Sequence, residues 1–429
     1  MLKKIAALFF LPPVLIAFIS LAPFAIYWNE YLSAKALDIS RTIGFDTSAF
    51  GYACLCVGAF SLAYFFVFFR RRHEERRQIV LHRPQQTRRL IFRVVVVLAV
   101  MGLAATVATV TVAGSGFITE MAGRFRAGEE ATDLLYSPEG YIRSEYVSGL
   151  IRMLGGLSNA SVLIWLSMAA LPWRDLLKKI YWPGLGVLLT VNLVRGVLGG
   201  DRGPALVAFL LTAYVILAQT QNKPTKLAHR NRPLRTIGIA LGLVIIVGTG
   251  LWAYIRLDKL RNTGEYNTML YYSDMGVANL SLEMKTGEGM GYGYYTFGGP
   301  LSLVFRYLGI SVAWPQFTAA YIGGPYLNLL GDAFADFGIY GFIIYGFLGM
   351  LSGWVHRNIC VSPSRLGWRV AHLHLLWAFA SAFTVPIFTG IQYWIGLFVA
   401  LAISLLLDAR GNTHAAPAVK AQREEKVRA

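Results

Sequence analysis

Apolar runs of about 20 residues recur along this chain, and each is the length an α-helix needs to cross the hydrocarbon core of a bilayer. Ten such stretches are drawn, at 5–28, 49–69, 92–114, 148–171, 181–199, 204–219, 236–256, 335–355, 369–388 and 391–408. In lipid no water satisfies an exposed backbone N–H or C=O, so runs of this kind fold as helices with internal hydrogen bonds. Composition agrees. Of 429 residues 55% are hydrophobic and 15% charged, against about 25% charged in a soluble globular chain. An aromatic content of 14% excludes a disordered chain. The expected class is an all-α polytopic membrane protein of about ten transmembrane helices.

Charge sets the orientation. The net charge is +17, which alone also fits nucleic-acid binding, but its distribution argues otherwise. If the chain starts inside and crosses ten times, the segments 70–89, 173–180, 220–235 and 356–369 and the tail after 409 all fall on one side. Together with Lys3, Lys4, Arg93 and Asp408 they hold 27 of the 40 basic residues and six of the 23 acids. This is the positive-inside pattern, with both termini cytoplasmic and no nucleic-acid partner. Lys3-Lys4 followed by an apolar run resembles a signal peptide. The run is too long and leads into further spans, so it reads as an uncleaved first helix. Cys54, Cys56 and Cys360 form neither a disulfide framework nor a metal-binding pair.

The expected layout is transmembrane helices 1–7 with short loops over 1–256, a large outer loop over 257–334, helices 8–10 over 335–408 and a basic cytoplasmic tail over 409–429. A long outer loop in an otherwise economical chain is usually functional. This one is rich in Gly and Tyr, with Gly-Met-Gly-Tyr-Gly-Tyr-Tyr at 289–295. Its apolar pieces 301–313 and 317–331 are short, and are read as interfacial or re-entrant. No internal repeat points to an inverted-repeat transporter.

Candidate chemistry concentrates at a few polar residues. All seven histidines fall in cytoplasmic segments or, as with His372 and His374, near the cytoplasmic end of a span. Outer-face chemistry therefore works without a His base or His-bound metal. The plain reading of His372 and His374 is helix packing or headgroup contact. The turn Gly199-Gly200-Asp201-Arg202-Gly203-Pro204 needs its Gly and Pro for geometry, but not Arg202. A guanidinium there offers a planar fork to phosphate oxygens beside free helix N–H groups; pairing with Asp201 is the structural alternative. Arg195, Arg152 and Arg306 lie in or near apolar runs and Arg256 closes the seventh span, so each faces a cavity or partner or snorkels to the interface. Asp332 and Asp336 are four apart and share one helix face. They are suited to base work or to holding a sugar hydroxyl, or else to complementing a helix dipole.

These residues carry a resemblance. The Gly-Asp-Arg-Gly turn is similar to the Gly-Ser-Arg-Gly turn of bacterial oligosaccharide repeat-unit polymerases of the Wzy type. So are the large outer loop running into Asp336-Phe337-Gly338-x-x-Gly341, and about ten spans with both ends inside. The related O-antigen ligases place a His, a small polar residue, nine residues and Gly-x-x-Gly/Thr/Tyr in this region. Asn328, Gly338 and Gly341 fit the second half, while Leu327 stands at the His position and departs from the ligase pattern. The resemblance implies a GT-C-like membrane glycosyltransferase that needs no metal and no cofactor. Its donor and acceptor would be undecaprenyl-pyrophosphate-linked glycans at the outer face of the bacterial inner membrane, with a flippase and a chain-length regulator as candidate partners.

Within that implied chemistry the leaving group is already an activated pyrophosphate, so arginines can supply the charge its departure needs. Arg202 is the first candidate for the pyrophosphate, with Arg195, Arg256 and Arg306 assisting. Asp336 is the first candidate base, followed by Glu283 and Asp332. Tyr292, Tyr294 and Tyr295 are suited to stacking on sugar faces or to interfacial anchoring. The alternatives are an O-antigen ligase and a lipid-linked glycan transporter or flippase.

Overall fold

The structure is a computed structural model of the chain. It describes residues 11–28, 47–70, 84–127, 145–168, 181–198, 211–212, 268–286, 291–310, 328–362, 365–382, 388 and 391–413. Nearly all of these are helical, and none is in a strand. The helices are α1 (Pro12–Trp28), α2 (Thr47–Phe69), α3 (Pro84–Ala127), α4 (Glu145–Met168), α5 (Tyr181–Leu198), α6 (Thr268–Thr286), α7 (Tyr294–Tyr307), α8 (Leu329–Phe337), α9 (Gly341–Val361), α10 (Leu366–Ser381) and α11 (Ile391–Thr413). A 3₁₀ turn, Gly338–Tyr340, joins α8 to α9. Cys360, in the segment 356–369 that the span edges leave between two helices, lies in α9.

Four of these stretches are long and apolar enough to cross a membrane: Thr47–Phe69, Arg89–Gly114, Gly149–Met168 and Leu329–Val361. Shorter apolar helical segments cover Pro12–Ala25, Pro183–Asn192 and Gln392–Asp408. Outward-facing side chains on these helices are apolar, which inverts the soluble pattern. Leu62, Phe65 and Phe66 are exposed on α2, Val96, Val97 and Val100 on α3, and Ile343, Phe347 and Trp354 on α9. Such surfaces belong in hydrocarbon, and the chain is a helical membrane protein. The proposed spans 204–219 and 236–256 lie outside the described residues, apart from Leu211 and Thr212.

Contacts divide the chain into two compact units that interleave in sequence. One comprises Met1–Arg70, Ala240–Trp354 and Leu375–Ile391; the other comprises Arg71–Ile239, Val355–His374 and Gln392–Ala429. In the first unit α6 packs on α1, α2 and α8, and α7 packs on α8. Close approach there depends on glycine. A Cβ at Gly349 or Gly353 of α9 would strike the backbone oxygen of Phe60 or Tyr64 of α2. Small residues at such crossings let two helices gain dispersion contacts that lipid cannot replace.

In the second unit α3, α4 and α5 pack on one another. Gly102 faces Ser158 across the α3–α4 contact with no room for a Cβ. Ser158 Oγ donates to Asn192 Oδ1 at 3.4 Å, joining α4 to α5. Trp165 stacks on Tyr181 at 5.5 Å and donates its indole N–H to the Tyr181 carbonyl at 3.0 Å. Asp408 of α11 caps α10, its two carboxylate oxygens accepting from the N–H groups of Leu366 and Gly367 at 2.9 and 3.0 Å. His372 and His374 are buried here, His372 beside His356 and His374 beside Tyr393. Their surroundings match the helix-packing reading.

Candidate functional site

The sequence of α8 explains its placement. Asn328 caps it, with Oδ1 accepting from the Gly331 N–H at 2.9 Å, the usual way a short polar side chain satisfies a free helix N–H. The helix then runs nine residues, Leu-Leu-Gly-Asp-Ala-Phe-Ala-Asp-Phe, and ends where Gly338 turns to φ 57°. Leu329, Leu330, Ala333 and Ala335 bury its apolar surface. Asp332 and Asp336 are buried too, at 4% and 0% exposure. The expected shared face is present, and it points into the unit.

Asp336 has a defined job. Its Oδ1 accepts from the Tyr295 N–H at 2.9 Å and its Oδ2 from the Thr296 N–H at 2.6 Å. These are first-turn N–H groups of α7, which have no partner within their own helix. A carboxylate is the strongest acceptor for them and also meets the positive end of the helix dipole. Two backbone bonds close the clamp: the Gly291 N–H donates to the Ala335 carbonyl at 2.9 Å, and the Tyr292 N–H to the Asp336 carbonyl at 3.1 Å. The Tyr-rich turn is thereby fastened to the end of α8.

Asp332 differs. Its Oδ2 has no hydrogen-bond partner among the described residues, so it keeps an open acceptor. Asp336 and the Tyr345 phenol both stand within its electrostatic reach. Glu283 of α6 is buried at 7% exposure, and its field, with that of Asp336, reaches the half-buried Tyr295 phenol. Burial first, and these carboxylates second, raise the Tyr295 phenol above its ordinary value, so it stays protonated at neutral pH. Tyr294 meets Tyr295 edge to face at 5.7 Å. The structure thus brings Asp332, Asp336, Glu283 and the start of α7 into one corner of the first unit.

Arg202 and Arg256 lie outside the described residues. Arg152, Arg195 and Arg306 fall within α4, α5 and α7, but only their backbone is described. Among the described residues no three His, Cys, Asp or Glu side chains group to hold a metal ion.

Sequence reasoning missed the clamp, because the partners of Asp336 lie 40 and 41 residues earlier. It also missed a buried polar group behind α8. Tyr52, Cys56 and Tyr345 are buried together, with Tyr52 packed edge to face on Phe334 at 5.2 Å. The only available signal was a tyrosine inside each of two apolar runs. Nearby, Ser20, Asn328 and Tyr345 line a cleft of about 210 Å³. Much of that volume is open to solvent, and the enclosed part is about the size of one water molecule, so a sugar does not fit in it.

The chain was compared with protein-family models, curated proteins and solved structures, and none of them matches it.

Proposed function

We propose that this chain is a membrane glycosyltransferase with a GT-C-like fold. It polymerises undecaprenyl-pyrophosphate-linked repeat units into a surface polysaccharide at the outer face of a bacterial inner membrane. The observation that carries the reading is the carboxylate corner of α6, α7 and α8, in a protein with four helical stretches long and apolar enough to cross a membrane. Intramembrane carboxylates are expensive, and usually mark a site where something polar is handled.

The chemistry follows from the groups. The acceptor hydroxyl attacks the anomeric carbon of the donor, and the bond from that carbon to the pyrophosphate oxygen breaks. The acceptor proton passes to a carboxylate, for which Asp332 keeps an oxygen with no partner among the described residues. The electron pair leaves with the lipid pyrophosphate, where Arg202, assisted by Arg195, Arg256 or Arg306, supplies positive charge. Both substrates are lipid-linked glycans, so binding energy can orient them without a cofactor.

One observation favours a second reading. Asp332 is buried within the apolar stretch Leu329–Val361, a placement that also fits a transporter of lipid-linked glycans. A deletion strain of the source bacterium separates the two readings. With polymerase missing, surface glycan runs on a gel as single attached repeat units, and restoring the gene restores the ladder. Loss of all attached glycan while long polymer builds on its lipid carrier would point to a ligase, and an unchanged pattern would move the weight to transport or to a different glycan.

A further inference from the structure

Tyr345 of α9 places a hydroxyl where packing needs only a ring. It is 1% exposed, and its phenol oxygen has no hydrogen-bond partner among the described residues. A buried hydroxyl left unpaired costs free energy that the bare ring avoids. The same helix uses phenylalanine at positions 342 and 347. Burial alone therefore does not account for the oxygen.

Tyr345 lines the cleft with Ser20, Asn328, Leu329 and Leu330, and Ser20 stands beside its hydroxyl. The enclosed part of the cleft takes one water. Tyr345, Ser20 and Asn328 supply the roughly two to four polar partners that a buried water needs. The Tyr345 hydroxyl is also in the field of Asp332. The Asp332 N–H donates to the Asn328 carbonyl at 3.0 Å, so Asp332 follows the cleft's Asn328 by one helical turn. Asp332 Oδ2 likewise has no partner among the described residues. Two buried polar atoms without partners, on α8 and α9, thus stand in each other's field beside a space that fits one water.

A base at Asp332 needs such a neighbour. Once it has taken the acceptor proton it is a neutral acid, buried at 4% exposure, and it has to lose that proton before the next turnover. We propose that the cleft is a water site, and that Tyr345 and this water form the exit path for the Asp332 proton. The proton moves from Asp332 to the Tyr345 oxygen as the Tyr345 hydroxyl proton moves to the water, which Ser20 holds in place. The water passes its excess proton outward. Asp332 is left as a carboxylate and Tyr345 as a neutral phenol, so only O–H bonds have been exchanged. This rests on the glycosyltransferase reading, which is what makes Asp332 a base.

The test uses the full chain in lipid nanodiscs with its lipid-linked repeat unit. Tyr345→Phe keeps the ring and removes the relay. Its kcat is expected to fall about tenfold or more, with KM within about twofold of wild type. Heavy water should slow this variant more than wild type, because proton loss then limits turnover. Its Tm should equal or exceed that of wild type, since an unpaired hydroxyl is gone. Ser20→Ala should lower kcat in the same direction by less. Tyr52→Phe removes another buried hydroxyl without a partner, one that does not line the cleft, and is expected to keep wild-type kcat. A wild-type kcat in Tyr345→Phe overturns the exit path, and so does a fall in kcat without greater sensitivity to heavy water. Equal losses in Tyr345→Phe and Tyr52→Phe overturn it as a packing effect. A high-resolution cryo-EM map decides the water site without turnover: density is expected about 3 Å from both Tyr345 Oη and Ser20 Oγ, and well-defined side chains with no density between them overturn it. If the wild-type protein forms no polymer, the parent reading fails and takes the exit path with it, while the map still decides the water site.

Discussion

Asp336 shows how one side chain can join three levels of organisation. It lies on the inward face of α8, it ends the free N–H groups of α7, and it fixes the turn that carries Tyr292. Asp336→Ala leaves two buried N–H groups without acceptors, each charge-assisted bond being worth about 1.5–3 kcal/mol. The expected loss is roughly 3 kcal/mol or more of stability, read as a lower Tm in detergent, with Asp336→Asn intermediate because one oxygen remains. An unchanged Tm with abolished activity would instead make Asp336 a reacting group and not a clamp. Arg202 makes the opposite prediction. Arg202→Lys keeps the charge but loses the bidentate fork, so activity should fall at least tenfold while Tm holds; retained activity would remove Arg202 from the pyrophosphate. The sequence made both aspartates visible through their four-residue spacing. It hid the division of labour between them, because capping depends on a partner that only folding brings near.

At the scale of elements, helices occupy eight of the ten apolar stretches drawn from the sequence. Helix length in lipid is set by bilayer thickness, and that constraint is local enough to read directly. The misplacement at α8 has a physical cause. The stretch drawn from 335 begins instead at Leu329 and breaks at the Gly338–Tyr340 turn, because Asn328 caps earlier than the apolar pattern begins and Gly338 takes φ 57°. The piece drawn at 301–313 is replaced by α7, which starts at Tyr294, where Asp336 caps it. Packing of α9 on α2 gives a cleaner test of element-level reasoning. Gly349 has Phe60 backbone against it, whereas Gly346 faces open space. Gly349→Leu should cost about 1–3 kcal/mol or more through overpacking, while Gly346→Ala should leave Tm unchanged or raise it. Equal effects at the two positions would mean that α9 and α2 do not meet in this register.

At the scale of the molecule, composition and charge carry most of the account. Apolar runs give a helical membrane protein, and the placement of Arg and Lys sets the orientation we propose. The contact units were not legible, since they assemble Met1–Arg70 with Ala240–Trp354 and Leu375–Ile391, and no local pattern records such pairing. Orientation is testable on its own. Reporter fusions after Arg77 and Arg232 should report cytoplasm and one after Glu265 the outside; the reverse assignment would put the Tyr-rich turn on the wrong face for a lipid-linked glycan delivered outward. Function is tested most directly by reconstitution. Purified protein in nanodiscs is mixed with an undecaprenyl-pyrophosphate-linked repeat unit in the presence of a chelator, and products are resolved by gel and mass. The account predicts a ladder spaced by one repeat unit, with one undecaprenyl pyrophosphate released for each new bond. Repeat units that stay single under these conditions, with no lipid pyrophosphate released, would contradict it.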